Sequence, residues 1–296
     1  MKLEPKKYKK RKPFTLEELP DKPGIYGLIL KLIGMHRNLL LIGTHGVGKT
    51  QMVMGAAEEL KLKVKYFSAA TMDPYADLAG IPVVDRKKKA IEFIHDSDLD
   101  KYHIFFFDEL NRPHDDKVLN GLLEAVQFLQ VQGRPFTKLV SCIAAMNPPD
   151  MAYQVDDVDP ALLDRFHHYL EVPFEYHPGF YKNKFGTPLA NILLSWTHSL
   201  SKDKQAHVTP RRLEYIGDTI TITKNNLDIL KTTVLSGTIP DTDFSILHGK
   251  CASLFPGIGE QRLNDQSKKA TSLIERQAQA SANDMEAALQ RLRDLG

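Results

Sequence analysis

Residues 43–50 read Gly-Thr-His-Gly-Val-Gly-Lys-Thr, the complete pattern G-x-x-x-x-G-K-[ST]. A short apolar run at 38–42 precedes this segment, and 51–60 carries helix formers with apolar residues at helical spacing. Three glycines let the backbone curl so that successive N–H groups point at an anion, and a helix N-terminus adds its dipole. The segment therefore predicts a buried strand, a tight loop and a helix that together bind the phosphates of a nucleotide.

Two side chains of this loop have a predicted chemical role. Lys49 supplies a compact positive charge for the outer phosphates, and Thr50 supplies a hydroxyl ligand for Mg²⁺. His45 has no predicted role beyond its backbone N–H. The predicted nucleotide-binding residues are the loop and the residue that follows it: Gly43, Thr44, His45, Gly46, Val47, Gly48, Lys49, Thr50 and Gln51.

A second apolar run ends in adjacent carboxylates. Ile-Phe-Phe-Phe at 104–107 predicts a buried strand, and Asp108 and Glu109 follow it directly. We expect Asp108 to hold the magnesium shell, through water, and Glu109 to polarise the attacking water. Two acids at a strand end are also compatible with a solvated turn. The phosphate-binding loop upstream favours the catalytic interpretation.

Three further polar residues follow in the order that a hydrolytic site needs. Asn147 comes after the apolar strand at 138–145 and is either a turn residue before proline or a group that positions water. Arg165 lies at the end of a short predicted helix at 160–166, and Arg211 lies where another helix opens. An arginine at the outer phosphate accelerates phosphoryl transfer by several orders of magnitude. Surface arginines are usually only solvated, so spacing alone does not select these two.

Strands alternate with helices as far as residue 172, which predicts an α/β fold with a parallel, doubly wound sheet. Beyond residue 173 the pattern becomes helical. We expect a P-loop NTPase with a three-layer parallel sheet core, followed by a small α-helical lid domain. The predicted domains are a basic flexible leader at 1–22, the nucleotide-binding core at 23–172, the lid at 173–262 and a C-terminal helix at 263–296.

Composition limits the other classes of function. No apolar run approaches 18 residues, so we expect no membrane span, and two cysteines without a sequon indicate a cytoplasmic protein. The net charge is +2, of which residues 1–12 carry +6 and the remainder −4. The leader is either a solvated arm or a contact for nucleic acid, an anionic surface or a partner. The histidines show no zinc-binding spacing.

The motifs resemble those of AAA+ ATPases of the MoxR type, in the branch with an insert in helix 2. The resemblance covers about 34–218 and leaves the leader and the last thirty or so residues outside. The second block of this family usually reads Asp-Glu-Ile-Asn-Arg, so Leu110 is a mild variant. The blocks that carry the resemblance are the loop at 43–50, Asp-Glu-Leu-Asn-Arg at 108–112, Ala-Ala-Met-Asn-Pro at 144–148, Pro-Ala-Leu-Leu-Asp-Arg-Phe at 160–166 and Thr-Pro-Arg at 209–211.

The resemblance implies roles that spacing does not. Asn147 corresponds to sensor 1, Arg165 to the arginine finger that enters a neighbour's site, and Arg211 to sensor 2. Arg112 and Arg134 also lie in segments that could face a neighbour. The segment 81–94 corresponds to the helix-2 insert and 130–136 to the hairpin before sensor 1. The family binds ATP and Mg²⁺, forms hexameric rings and remodels proteins, often with a von Willebrand factor A domain partner.

Three functions compete at this stage. The first is an ATPase that remodels a protein client, with the lysines at 87–89 either contacting the client or forming a solvated turn. The second is a nucleic-acid-associated motor or nuclease accessory, which the +6 leader favours and the −4 body disfavours. The third is a nucleotide-gated scaffold without catalysis, which the presence of Glu109 disfavours.

Overall fold

The computed structural model describes residues 11–73, 75–87, 90–94, 97–112, 116–148, 158–226, 228–229 and 240–255. The chain forms two compact units. The first comprises Met1–Tyr176 with Thr209–Arg211, and the second comprises His177–Val208 with Arg212–Gly296. The predicted C-terminal helix at 263–296, residues 1–10 of the leader and residues 88–89 lie outside the described residues.

A five-stranded sheet forms the centre of the first unit. Its strand order is β2-β5-β8-β1-β9, and each neighbouring pair is parallel. The predicted parallel α/β core is therefore confirmed. The strands are β1 (Leu39–Ile42), β2 (Val64–Ser68), β5 (Ile104–Asp108), β8 (Ser141–Met146) and β9 (His168–Glu171).

Two layers of helices cover the two faces of this sheet. Successive residues of a strand point to opposite faces, so Leu39 and Leu41 pack with α1 and α2, whereas Leu40 packs with α3 and α4. Both faces of the sheet are thus covered by apolar side chains, which explains the continuous hydrophobic runs of the strands. The helices of this unit are α1 (Gly24–Gly34), α2 (Lys49–Glu59), α3 (Asp116–Phe128) and α4 (Pro160–Leu163).

Two antiparallel hairpins extend from the core. One pairs β3 (Ile81–Asp85) with β4 (Ala90–Ile94), and the other pairs β6 (Gln130–Val131) with β7 (Arg134–Pro135). They occupy the two segments that the family resemblance implied. A turn of π-helix, Tyr75–Ala79, precedes the first hairpin.

The second unit is helical. Trp196 of α6 is fully buried, packs with Phe244 of α9 at a centroid distance of 6.1 Å, and donates its indole N–H to the Asp243 carbonyl. Among the described residues, no helix has the length and hydrophobicity needed to cross a bilayer. The helices are α5 (Pro178–Phe185), α6 (Thr187–Ser199), α7 (Lys202–His207), α8 (Pro210–Ile222, whose first two residues belong to the first unit) and α9 (Asp241–Cys251).

Two predicted boundaries are wrong. The strand expected from residue 138 begins at Ser141. The helix expected over 160–166 ends at Leu163, because the N–H groups of Arg165 and Phe166 bond to the carbonyls three residues earlier and tighten the chain into a turn. Arg165 therefore lies in the turn between α4 and β9, rather than on the helix.

Candidate functional site

The carboxyl ends of β1, β5 and β8 bring the predicted residues to one edge of the sheet. In the register of the strands, Ile42 pairs with Met146, and Ser68 of β2 pairs with Asp108. The phosphate-binding loop follows β1, the two carboxylates end β5, and Asn147 follows β8. Parallel strands thus place three motifs that are distant in sequence beside one another, as is usual for ligand sites in open α/β sheets.

The loop between β1 and α2 requires glycine at two positions. Gly46 and Gly48 have φ values of 77° and 91°, which side chains with a Cβ adopt only with strain. Gly48 also forms the left-handed N-cap of α2, so that the helix begins at Lys49. The N-terminus of α2 is thereby aimed at the site, where its dipole favours an anion.

Lys49 points into this loop. Its ammonium group donates to the carbonyls of Gly43, at 2.5 Å, and Thr44, at 3.0 Å, and to Asn147 Oδ1, at 3.2 Å. The side chain is 8% exposed. Burial lowers the pKa of Lys49 to about 8, with the Asp108 charge opposing this shift and the Arg211 charge adding to it. Lys49 is therefore a buried donor that already connects the loop to the end of β8.

Thr50 and Asp108 face each other across the site. The Thr50 hydroxyl donates to Asp108 Oδ2 at 2.9 Å, and Tyr66 Oη lies 3.5 Å from the same carboxylate oxygen. A hydroxyl beside a carboxylate is the oxygen donor set that Mg²⁺ prefers. The residues present thus fit the predicted magnesium site. Burial, and next the Asp108 and Glu109 charges, raise the pKa of Tyr66, so it carries its proton at neutral pH.

Glu109 occupies a strained backbone position at the end of β5. Its φ of 58° lies in the left-handed region, and its N–H donates to Asp108 Oδ1 at 3.0 Å. Arg112 Nη1 binds Glu109 Oε1 at 3.1 Å, with both side chains about 40% exposed. The Arg112 N–H also bonds to the Glu109 carbonyl and closes the turn. The turn therefore holds this carboxylate by both its backbone and its side chain.

Asn147 is buried at the end of β8, with 7% exposure. Its side-chain oxygen accepts from Lys49, and its carbonyl accepts from Asn111 Nδ2 at 2.9 Å. Asn111 is itself 4% exposed. A turn asparagine before proline would need neither contact. The amide is instead connected to both the loop and the segment that follows the carboxylates.

Arg211 reaches the loop from the start of α8. Its backbone N–H donates to the Gly46 carbonyl at 3.1 Å, and its side chain lines the same cavity as the carboxylates. A Cβ at Gly46 would lie 2.7 Å from Thr209 Oγ1. The close approach of 209–211 therefore depends on glycine in the loop.

These groups surround a cavity of about 290 Å³ at the carboxyl edge of the sheet. Most of the predicted residues line it, whereas Gly43, Thr44 and Gln51 do not. The hydroxyl of Thr44 is buried and has no hydrogen-bond partner among the described residues. The lining residues are His45, Gly46, Val47, Gly48, Lys49, Thr50, Tyr66, Asp108, Glu109, Arg112, Met146, Asn147 and Arg211.

Arg165 lies elsewhere. It lines a second cavity of about 410 Å³ together with His36 and His167, which precede β1 and β9. Its Nε donates to Gln127 Oε1 at 2.9 Å, and its Nη1 donates to the Ala161 carbonyl. The structure thus brings Lys49, Asp108, Glu109, Asn147 and Arg211 together and leaves Arg165 apart from them.

Sequence analysis did not assign Tyr66 and Arg112 to this cavity. Arg112 appeared only as an alternative finger, although its position three residues after Glu109 allows a pair across one turn. The sequence gives less indication that Tyr66 belongs to the cavity. Tyr66 stands on β2 opposite Phe106, two residues before the pair of Ser68 and Asp108, and only the order of strands in the sheet shows that β2 lies beside β5.

Comparisons with known proteins agree with an AAA-type core. Residues 38–166 match the family model described as an AAA domain of the dynein-related subfamily. No curated protein matches the chain. The predicted AAA+ domain is thereby confirmed, while the narrower resemblance to the MoxR branch stays a prediction.

Two solved structures illustrate the similarity of fold. A putative ATPase from Cytophaga hutchinsonii is 18% identical with a TM-score of 0.41, over 70% of this chain and 67% of its own. The RuvB Holliday junction branch migration motor of Thermotoga maritima is 19% identical with a TM-score of 0.44, over 78% of this chain and 74% of its own. At these identities the similarity concerns the fold alone.

Proposed function

We propose that this protein hydrolyses ATP with Mg²⁺ and uses the reaction to remodel or activate a partner protein within an oligomeric ring. The observation that carries the hydrolytic part is the gathering of Lys49, Asp108, Glu109 and Asn147 around one cavity. A lysine for phosphate, a carboxylate for metal and a second acid for water are the parts that phosphoryl transfer to water requires.

Thr50 and Asp108 are the residues that would hold the metal. When bound, Mg²⁺ neutralises the negative charge of the outer phosphates. The hydrogen bond of 2.9 Å between Thr50 and Asp108 already holds these two oxygens next to each other. Asp108 would hold the metal or its hydration shell, and Lys49 would complement it from the loop.

Glu109 is the proposed base that orients and deprotonates the attacking water. Its turn and its contact with Arg112 restrict where the carboxylate can point. Asn147, which contacts Lys49 and Asn111, presents an amide to the same cavity. We assign Asn147 to positioning water or the outer phosphate, and Arg211 to contacting the nucleotide from the first turn of α8.

The ring is proposed from the position of Arg165. This arginine does not line the cavity of its own chain, so a finger role requires a neighbouring chain. Of the two alternatives, Arg134 forms an ion pair with Asp100 and Arg112 forms one with Glu109. The partners of Arg165, Gln127 Oε1 and the Ala161 carbonyl, are uncharged. We therefore propose Arg165 as the residue that completes a neighbour's site in a hexamer, with a client or a von Willebrand factor A domain partner as the object of remodelling.

Turnover and nucleotide binding by two variants test the hydrolytic site. Glu109→Gln removes the base and leaves the phosphate contacts, so we expect ATP to bind while turnover falls about 100-fold or more. Lys49→Ala should abolish binding of a fluorescent ATP analogue. Glu171→Gln, an exposed carboxylate on β9, is the matched control and should hydrolyse like the wild type. Unchanged turnover in Glu109→Gln would overturn its assignment as the base.

The remodelling part has a separate test. Immobilised Glu109→Gln protein, which we expect to retain ATP, should hold a partner that carries a von Willebrand factor A domain and release it when ADP replaces ATP. Lys49→Ala should hold none under either condition. Equal retention by both variants would show that nucleotide does not control the interaction, and would leave the ATPase assignment intact.

A further inference from the structure

The edge of the sheet opposite the nucleotide cavity carries a row of basic residues. Because the strands are parallel, their amino ends share one edge, and a basic side chain precedes four neighbouring strands. Lys63 precedes β2, His103 precedes β5, Lys138 lies three residues before β8, and Arg37 lies two residues before β1. With Arg11 and His36 these residues form what we call the amino-edge cluster: Arg11, His36, Arg37, Lys63, His103 and Lys138.

Backbone contacts fix the cluster in place. The N–H of Lys63 donates to His103 Nδ1 at 3.0 Å, and the N–H of His103 returns a bond to the Lys63 carbonyl at 2.8 Å. The Ser141 hydroxyl donates to the Arg37 carbonyl at 2.6 Å, which links the segments before β8 and β1. The basic side chains therefore project from a rigid scaffold.

Mutual repulsion shows that the charges lie close together. Burial lowers the pKa of His103, and the charges of Arg11, Lys138 and Lys63 lower it further. Burial, and next the charges of Arg11 and His103, likewise lower the pKa of His36. His103 therefore lies near Arg11, Lys63 and Lys138, and His36 lies near Arg11 and His103, so these groups from separate segments share one surface.

Carboxylates of the described residues do not neutralise these cations. The side chains of Arg37, Lys63 and Lys138 are exposed, and none forms an ion pair with a described carboxylate. Two acids in flanking segments have other partners. Glu59 accepts from Tyr26 and pairs with Lys22, and Asp100 pairs with Arg134.

The basic leader joins the chain at this cluster. Arg11 donates to the carbonyls of Lys61, at 3.2 Å, and Leu60, at 3.4 Å, and its guanidinium lies 5.0 Å from the centre of the Phe14 ring. The ten residues before it include five lysines and one glutamate. Arg11, at the end of the basic segment, therefore lies beside the sheet edge. The net negative charge of the remaining chain is an average, and this surface is positively charged.

We propose that the amino-edge cluster binds the phosphate backbone of a nucleic acid. Four adjacent strands at roughly 4.8 Å spacing give a row about 14 Å long. The exposed cations of this row are Arg37, Lys63 and Lys138, and Arg11 lies beside them. A nucleic acid strand presents one charge every 3.4 Å or so along its axis, so this length of strand offers several phosphates to these cations.

This surface is independent of the proposed ATPase, because it lies at the opposite edge of the sheet and shares no residue with the nucleotide cavity. Lysine and arginine contacts to phosphate carry no sequence information. Binding should therefore be insensitive to sequence, sensitive to salt, and retained in Lys49→Ala.

Fluorescence anisotropy of a labelled 20-base-pair DNA duplex tests the proposal. The triple variant Arg37→Gln, Lys63→Gln, Lys138→Gln should bind at least tenfold more weakly at about 100 mM salt. Each lost contact should reduce the slope of log affinity against log salt by about 0.9, hence up to about 2.7 in total. The matched control removes three exposed charges from the helical unit, Lys182→Gln, Lys202→Gln and Lys224→Gln, and should leave both quantities as in the wild type.

Three outcomes would overturn the proposal. The first is equal affinity and slope in the two triple variants. The second is complete loss of binding on deletion of residues 1–10 while the cluster variant binds normally, which would assign binding to the leader alone. The third is displacement of the duplex by polyglutamate at equal charge concentration, which would indicate a general polyanion surface. Thermal unfolding and ATP turnover check that the triple variant is folded. If it does not fold, the single variants Lys63→Gln and Lys138→Gln replace it, and each should lower the salt slope by about 0.9.

Discussion

The ammonium group of Lys49 is buried inside the loop that it serves. Burial lowers its pKa to about 8 in the folded chain, against an ordinary lysine value of about 10.5. Below pH 8 both states hold the proton, so the folded state carries the full cost of the buried charge. Between pH 8 and 10.5 the unfolded state binds more protons than the folded state, so stability rises with pH in this window.

Comparison with Lys49→Met isolates this contribution. The difference in unfolding free energy between the wild type and Lys49→Met should move in favour of the wild type by up to about 3 kcal/mol between pH 7 and 10.5. Urea unfolding at several pH values measures it. Lys49→Arg, which keeps its charge over this range, should show no such gain relative to Lys49→Met. If the unfolding free energies of the wild type and Lys49→Met change with pH by the same amount, Lys49 does not have a lowered pKa in the folded chain.

Arg112 restrains the carboxylate of Glu109 in a pair that is too exposed to contribute much stability. We expect Arg112→Ala to lower kcat roughly tenfold, because a mobile carboxylate is less often correctly oriented. The ATP KM and the melting temperature should change little, and Arg112→Lys should restore part of kcat. Arg86→Ala, at the exposed hairpin tip, is the control. A raised KM with unchanged kcat would instead show that Arg112 binds the nucleotide directly.

At the level of elements, the phosphate-binding loop packs closely against the segment at 209–211. Gly46→Ala places a Cβ 2.7 Å from Thr209 Oγ1 at a φ of 77°. Gly133 has a similar φ of 74°, but nothing lies within 4 Å of its Cβ position. Alanine at both positions therefore suffers the same backbone strain, about 1–2 kcal/mol, and only Gly46→Ala adds a clash.

We expect Gly46→Ala to reduce both stability and ATP affinity more than Gly133→Ala, which should leave ATP affinity unchanged. The double variant Gly46→Ala, Thr209→Ala removes the clashing hydroxyl and should recover part of the stability. Chemical denaturation and nucleotide titration measure these effects. If Gly46→Ala and Gly133→Ala lose the same stability and the double variant recovers none, the segment does not press on the loop.

The predictable elements are those whose signal is local. The loop, the apolar strands and the carboxylates at 108–109 follow from adjacent residues, and parallel pairing then brings the strand ends together. The sequence predicts a helical lid but no bounds for α5 and α7, because each buries almost nothing: Tyr181 is the buried residue of α5, and α7 has none. Without an apolar stripe, helical periodicity has no sequence signature. The contact between Tyr66 and Asp108 likewise depends on strand order, which the sequence does not contain.

At the scale of the whole molecule, the proposed ring makes ATP hydrolysis depend on the assembly of neighbouring chains. Arg165 lies with His36 and His167 at the second cavity, away from the nucleotide cavity of its own chain. A ring built from head-to-tail contacts gives every chain one site and one finger, offered to different neighbours. Arg165→Ala should therefore retain ATP binding and lose most turnover, whereas Lys49→Ala should lose both.

Mixing these two inactive variants distinguishes a finger in trans from a residue that only supports its own chain. In a random one-to-one mixture about one quarter of the seams join an intact Lys49 to an intact Arg165, so turnover should recover to about that fraction. Glu109→Gln mixed with Lys49→Ala is the matched control: both defects lie in the same site, so no seam regains every group and turnover should stay low. Absence of recovery at any mixing ratio, in a preparation shown by size to exchange subunits, would exclude Arg165 as the finger. Recovery in the control as well would show that turnover does not report on individual seams.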